Sequence, residues 1–598
     1  MMPRSHRLTA VTLAVFAVTI LVSSLRAQQG PPPAIRTAHG DWYWERGPAD
    51  LVLEHGKVVT VDSAQPRAEA LAIRNRRIVA VGSDAAIARY VGPDTKVVDL
   101  RGRLAIPGFI DAHAHFMGLG ESLKQLDLMG APTWSDIVRK VAEAAKEAKP
   151  GEWILGQGWH QAKWEHPPHP AVEGLPLHAS LDAVSPDNPV LLEHASGHAA
   201  FLNGKALELA GITDATPNPK GGEIVRDAEG HAIGMLRDNA QGLVRRVYQS
   251  YLDRRTPEQV RADMAETVRL ASHDAVSTGV TGFDDQGESF ATIDFLKEQV
   301  AGGKVPIRLY VEVESMSPDS LALHLPGHWL VGYGHDHLTV RAVGEILSDG
   351  ALGTHSAWFL KPYADLPSTS GLNVTPIDQI RAEAEVALSN GFQVTVHAIG
   401  DRANREVLDT FQRIFREHPD AKDLRWRIEH AQHLDPADIP RFGHMRVIAS
   451  MQTLHACSDG PYVVARLGKE RAKAGAYAWR KLMDAGAIIA NGTDAPVERL
   501  DPIPNFYCAV TRRLADGKLF FPEEKMTREE ALRSYTINAA YALFEEHDVG
   551  SLTPGKLGDV VVLSKDIMTI PADSIPTANV DLTIVGGRVV YRRTDGSR

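Results

Sequence analysis

Cysteine is nearly absent: Cys457 and Cys508 are the only two in 598 residues. Two thiols are too few for a disulfide framework, and a chain of this length can bury a sizeable core without one. Each is expected to be free and buried, although pairing cannot be read from sequence alone. An excess of one charge is also missing. The 64 Lys and Arg residues against 75 Asp and Glu leave a net charge of −11, mildly acidic for this length, so nothing points to a nucleic-acid partner. Beyond the N-terminal segment there is no apolar run long enough to cross a bilayer, and no repeat of fixed short period is visible.

The N-terminal segment differs from the rest. Arg4, His6 and Arg7 precede an apolar run from Leu8 to Val22, and Ser23-Ser-Leu-Arg-Ala27 follows. That is the form of a cleavable signal peptide, with a run shorter than the ~20 residues of a spanning helix; retention as an anchor is the alternative. Residues 1–27 are therefore expected to be removed, residues 28–48 to form a flexible mature N-terminus, and the product to be periplasmic or secreted, with no membrane contact after cleavage.

Composition then turns ordinary, at 44% hydrophobic and 23% charged. Short alternating stretches such as Lys57-Val-Val-Thr-Val and Arg77-Ile-Val-Ala-Val, punctuated by Gly and Asn-Arg, make residues 49–106 β-rich. Residues 550–598 repeat the style in Gly558-Asp-Val-Val-Val-Leu and Asp581-Leu-Thr-Ile-Val. Since chain ends tend to lie together, both ends are expected to form one composite β-sandwich. Between them, residues 107–549 alternate apolar strands with amphipathic helical stretches, the α/β pattern of a (β/α) barrel. The Pro-, His- and Trp-rich stretch at about residues 131–260 breaks the rhythm and is expected to be an insertion.

Chemistry-bearing residues sit at the ends of the barrel's strand candidates. In Ile106-Pro-Gly-Phe-Ile-Asp-Ala-His-Ala-His115, a period of two places His113 and His115 on one face, where two imidazoles can donate to one zinc-like ion at ~2.0–2.1 Å. His397 ends Phe392-Gln-Val-Thr-Val-His, His430 ends Leu424-Arg-Trp-Arg-Ile-Glu-His, and Asp494 follows Ile488-Ile-Ala-Asn-Gly-Thr. A lone pair of histidines is weak evidence. Four histidines and an acid at the C-terminal ends of barrel strands, where active sites form, are not.

These motifs, with Trp153-Ile-Leu-Gly-Gln-Gly-Trp159, Gly197-His-Ala-Ala200, Ser348-Asp-Gly-Ala-Leu-Gly353, Val396-His-Ala-Ile-Gly-Asp401, Arg427-Ile-Glu-His-Ala-Gln432 and Asn491-Gly-Thr-Asp-Ala-Pro496, occur in the order that marks a family. The chain resembles the amidohydrolase superfamily, in its YtcJ-like and N-substituted formamide deformylase-like branch (amidohydrolase family three). The resemblance implies a (β/α)8 TIM-like barrel with a composite β-sandwich, one or two divalent ions, zinc first among them, and hydrolysis of carbon–nitrogen bonds other than peptide bonds. It implies that His113 and His115 hold one ion, that His397 and His430 hold a second, and that Asp494 is both ligand and base. One position departs from the family pattern: Glu345 stands where a carboxylated lysine would bridge two ions, so Glu345 is the candidate bridge and a single-metal site is the alternative.

His198 is the expected donor to the substrate carbonyl, and Trp159, His355, Trp358 and His455 are expected to line the mouth. The aromatic wall of Trp153, Trp159 and Trp164 with His160, His166 and His169 is equally readable as hydrophobic core. The expected partner is a small-molecule substrate, an N-substituted amide, formamide or cyclic amide, with a homodimer as the default assembly. Ester or lactone hydrolysis, and a binding protein without turnover, are the competing readings.

Overall fold

The computed structural model describes residues 47–594. The expected signal peptide and the mature N-terminus as far as residue 46 lie outside the described residues.

The central body is a ring of eight parallel strands, taken in chain order: β1 (Phe109–Ala114), β2 (Val280–Glu288), β3 (Arg308–Val313), β4 (Leu338–Leu347), β5 (Gln393–Ala398), β6 (Arg427–His430), β7 (Ile448–Met451) and β8 (Ile489–Asn491). Each pairs with the next in sequence. Strands enclosed by helices outside and packed side chains inside are buried on both faces, which is why β1 and β5 are buried throughout. The intervening helices are amphipathic: Asp401–Glu417 buries Val407, Leu408, Phe411 and Ile414 against the barrel. The seam between β8 and β1 is closed by loop hydrogen bonds. Asp494 N–H donates to His113 O at 2.8 Å and His115 N–H donates to Ala495 O at 2.8 Å, so closing the ring is also what brings Asp494 beside the two histidines.

Two sheets join the chain ends. One takes strands 77–82, 70–74, 51–54 and 96–99; the other runs from 588–592 through 580–585, 560–563, 104–107 and 57–59 to 67–68. Val560–Leu563 pairs antiparallel with Leu104–Pro107, and Leu53, Ile73, Val560, Val562 and Ile584 share one core between the sheets. A further six-stranded sheet, within residues 126–238, rises over the barrel.

The cysteines depart from expectation. Cys457, on the helix Thr453–Leu467, and Cys508, on the helix Pro502–Thr511, form a disulfide. The two helices lie side by side with the cysteine Cα atoms 6.1 Å apart, a separation a disulfide spans. Their distance of 51 residues in sequence hides that adjacency.

Candidate metal centre

Five strand ends supply one cluster. From β1 come His113, fully buried, and His115; each presents Nε2 to Asp494 Oδ1, at 3.5 Å and 3.3 Å. His113 is oriented from behind: its Nδ1–H donates to Glu429 Oε2 at 2.7 Å, which leaves Nε2 facing the site, the arrangement by which a carboxylate fixes a ligand histidine's tautomer. From β5 and β6, His397 Nδ1 and His430 Nε2 meet at Glu345 Oε1 of β4, at 2.9 Å and 3.0 Å. His430 Nδ1 is held in turn by Gln452 Oε1 at 2.8 Å.

The electrostatics favour a cation. Burial acts to raise Glu345 and Asp494, yet the neighbouring imidazoles, His397 and His113 for the first and His113 and His115 for the second, hold both carboxyls well below their usual range. Burial lowers His397 to about 4; at His113, His115 and His430 burial acts the same way, but the carboxyls of Glu345 and Asp494 outweigh it and raise all three. Among the described residues, His113 Nε2, His397 Nε2, His455 Nε2 and Asp494 Oδ1 are buried without a hydrogen-bond partner. Leaving such atoms unsatisfied costs about 1–3 kcal/mol each. Three overlapping groups, His113/His115/Asp494, His113/Glu345/His430 and His430/His455/Asp494, each bring their ligand atoms within 4.8 Å of one another. Imidazole nitrogen and carboxylate oxygen in such numbers suit zinc or a similar divalent ion, so the residues present fit the implied metal.

His430 and Asp494 have φ of 71° and 59°, the left-handed region that residues other than glycine seldom occupy. At His430 this breaks the strand's alternation, so Glu429 and His430, consecutive in sequence, both serve the same site. Beneath them, Glu429 is tied to Arg427 Nε at 2.9 Å, and Arg427 also pairs with Asp284 and Glu312 in the barrel interior. Asp111 accepts from Thr493 Oγ1 at 2.7 Å and Thr493 N at 2.9 Å, anchoring the turn that carries Asp494. Asp349 accepts from the backbone N–H groups of Trp358, Ile399 and Gly400 at 2.7, 2.9 and 2.8 Å, latching the loop after β4 to the loop after β5.

Above the cluster lies a cleft. His198, His397, His430, His455 and Asp494 line it. His198 arrives from the six-stranded sheet, on the turn between strands Val190–His194 and Ala199–Leu202. His455 Nε2 is 3.8 Å from Asp494 Oδ2. The other expected mouth residues are elsewhere. His355 faces an adjoining polar hollow, 3.2 Å from Asp365. Trp358 lies under Arg402 outside the cleft lining. Trp159 is fully buried, stacked on Trp164 with its Nε1–H donated to Leu192 O at 2.9 Å; most of the aromatic wall is core. His160 alone of that group lines the cleft, with Lys163, Asp459, Tyr462 and Glu498, four residues that no strand-end motif marks. Glu429 and Gln452 did carry a signal, as polar residues beside or just beyond buried apolar strands.

Comparison with known proteins gives one family. Residues 96–591 match the family model described as amidohydrolase family. The chain is 34% identical to the protein LONG AFTER FAR-RED 3 of Arabidopsis thaliana over 91% of this chain and 92% of that one. It is 32% identical to the amidohydrolase YtcJ of Bacillus subtilis (90% and 99%) and 27% identical to N-substituted formamide deformylase of Arthrobacter pascens (91% and 99%). Among solved structures, an uncharacterized metal-dependent hydrolase from Pyrococcus horikoshii superposes with a TM-score of 0.69 at 27% identity, covering 88% of this chain and 99% of that one.

Proposed function

This chain belongs to the amidohydrolase family, and from that premise we propose that it hydrolyses a non-peptide carbon–nitrogen bond in a small N-substituted amide, formamide or cyclic amide. The observation that carries the reading is the convergence of buried, unpartnered ligand atoms from β1, β5 and the turn after β8, with His397 and Asp494 also lining the cleft. His113, His115 and Asp494 would hold one divalent ion, zinc by preference, and His397, His430 and Glu345 a second. Bound there, such an ion acidifies water and polarises a carbonyl.

The chain's own groups supply the remainder. Asp494, kept ionised by its histidine neighbours, takes a proton from the attacking water and returns it to the departing nitrogen, acting first as base and then as acid. Glu429 keeps His113 in the tautomer whose Nε2 faces the site. His198, in the lining of the cleft, donates a hydrogen bond to the carbonyl oxygen as negative charge grows on it. The buried floor limits water to what the cleft admits, which strengthens each of these interactions. Export is part of the proposal: the N-terminal segment has signal-peptide form, and the Cys457–Cys508 disulfide suits an oxidising compartment.

The test is a screen of formamide, N-substituted amide, cyclic amide, ester and lactone libraries against protein stripped by a chelator and then reloaded with Zn²⁺. Activity on carbon–nitrogen substrates should vanish on stripping and return on reloading. Undiminished turnover by metal-free protein, or hydrolysis confined to esters and lactones, would falsify the proposal.

A further inference from the structure

His198 is held by a residue that no motif marked. Asp238 closes the strand Ala232–Asp238 of the inserted sheet and grips His198 twice. Its backbone N–H donates to His198 O at 2.8 Å, and its Oδ1 accepts from His198 Nδ1–H at 3.2 Å. The backbone of His198 is fixed independently by Ser196 Oγ, which accepts from His198 N–H at 3.2 Å. Asp238 adopts φ of 46°, a conformation Asp and Asn tolerate better than most residues. Space is made from the barrel side. A Cβ on Gly350 would stand 3.3 Å from His198 Cε1 and 2.4 Å from Ser356 Oγ, so the glycine of the Asp349-Gly350 turn is what lets the ring lie over the loop after β4, its centroid 6.3 Å from that of His397.

We propose that Asp238 is a positioning residue for the reaction: through the Nδ1 hydrogen bond it fixes the ring of His198 so that Nε2 is the atom that addresses the substrate. The chemistry follows from the carboxylate, which can only accept. With Nδ1–H committed to it, the ring's remaining nitrogen is the one left for the cleft. Nothing is transferred to Asp238. The inserted sheet thereby contributes a working part of the active site and not merely a cover. The inference rests on the hydrolytic reading above, but the choice between amide and ester carbonyl does not affect it.

Asp238→Asn keeps the size and the left-handed backbone but replaces an acceptor-only group by an amide that can also donate, so Nδ1 of His198 is no longer held as the donor. On the metal-replete full chain, with whichever substrate class the screen yields, kcat should fall about 10- to 100-fold, somewhat less than loss of an oxyanion donor itself, with KM within about twofold and metal content unchanged. Asp238→Asn combined with His198→Ala should be no slower than His198→Ala alone, the non-additivity expected when one residue acts through the other. A readout free of turnover accompanies these. In proton NMR of the parent, the downfield Nδ1 proton of His198, assigned by its loss in His198→Ala, should shift or vanish in Asp238→Asn. Parental kcat in Asp238→Asn, multiplicative losses in the double variant, or an unmoved His198 proton would each overturn the proposal.

Discussion

At the scale of single residues, the metal count turns on Glu345. Its Oε1 lies within hydrogen-bond distance of both His397 Nδ1 and His430 Nε2, so it organises the second pair of histidines whatever it binds. Glu345→Ala should therefore lose the ion expected at His397 and His430 and keep the one at His113, His115 and Asp494. Metal content per chain, measured beside Glu345→Lys, decides this, and unchanged stoichiometry in the alanine variant would take Glu345 off the ligand set. For Asp494, exchange to Asn should spare metal content more than turnover; parental turnover would remove it as the base. Glu429→Gln offers a subtler case. It keeps the shape but weakens the hold on His113 Nδ1 and leaves Arg427 short of one buried counter-charge, so zinc affinity should fall about 10- to 100-fold by competition titration. An affinity within twofold of the parent would show that Glu429 serves Arg427 alone. His113, His115, His397 and His430 were legible because each ends an apolar run. Glu429 showed only as a polar residue beside His430 and Asp238 not at all, because their roles depend on a left-handed residue at His430 and on a backbone hydrogen bond between Asp238 and His198, neither of which a linear pattern encodes.

At the scale of elements, the ring of strands could be read from alternation, while the connections between non-neighbouring elements could not. Trp159 shows the limit: an aromatic residue after a Gly-rich strand looks the same in sequence whether it faces a cleft or a core, and here the inserted sheet closes over it with Trp134, Trp164 and Phe201. The disulfide shows it again, since helix packing and not spacing joins Cys457 to Cys508. That bond ties the helix bearing His455 to the helix bearing Asn505, whose Oδ1 accepts Leu454 N–H at 2.9 Å and whose O accepts Thr453 Oγ1–H at 2.9 Å. Loop closure over a sequence separation of 51 contributes about 4 kcal/mol in the chain-entropy treatment. A Cys457→Ala, Cys508→Ala double variant should accordingly lose up to that amount in denaturant unfolding, and a midpoint equal to the parent's would show that helix packing suffices.

At the scale of the whole molecule, the ligands come from positions spread between 113 and 494, on strands that meet only once the ring has closed. No short segment of the unfolded chain holds the full set, so an ion that binds the cluster binds the folded form almost exclusively, and its binding free energy is added to folding stability by mass action. At a free Zn²⁺ concentration about 1,000 times the dissociation constant this amounts to about 4 kcal/mol. Without the ion, the native state must carry Glu345 and Asp494 buried beside histidines that share their protons, a compensation that is weaker than a divalent charge at the same place. The thermal unfolding midpoint should therefore rise continuously with zinc concentration in chelator-stripped protein, and the rise should shrink in a His113→Ala, His115→Ala variant. A midpoint indifferent to zinc across the titration would mean that the cluster holds no ion in the folded protein, and the hydrolytic proposal would fall with it.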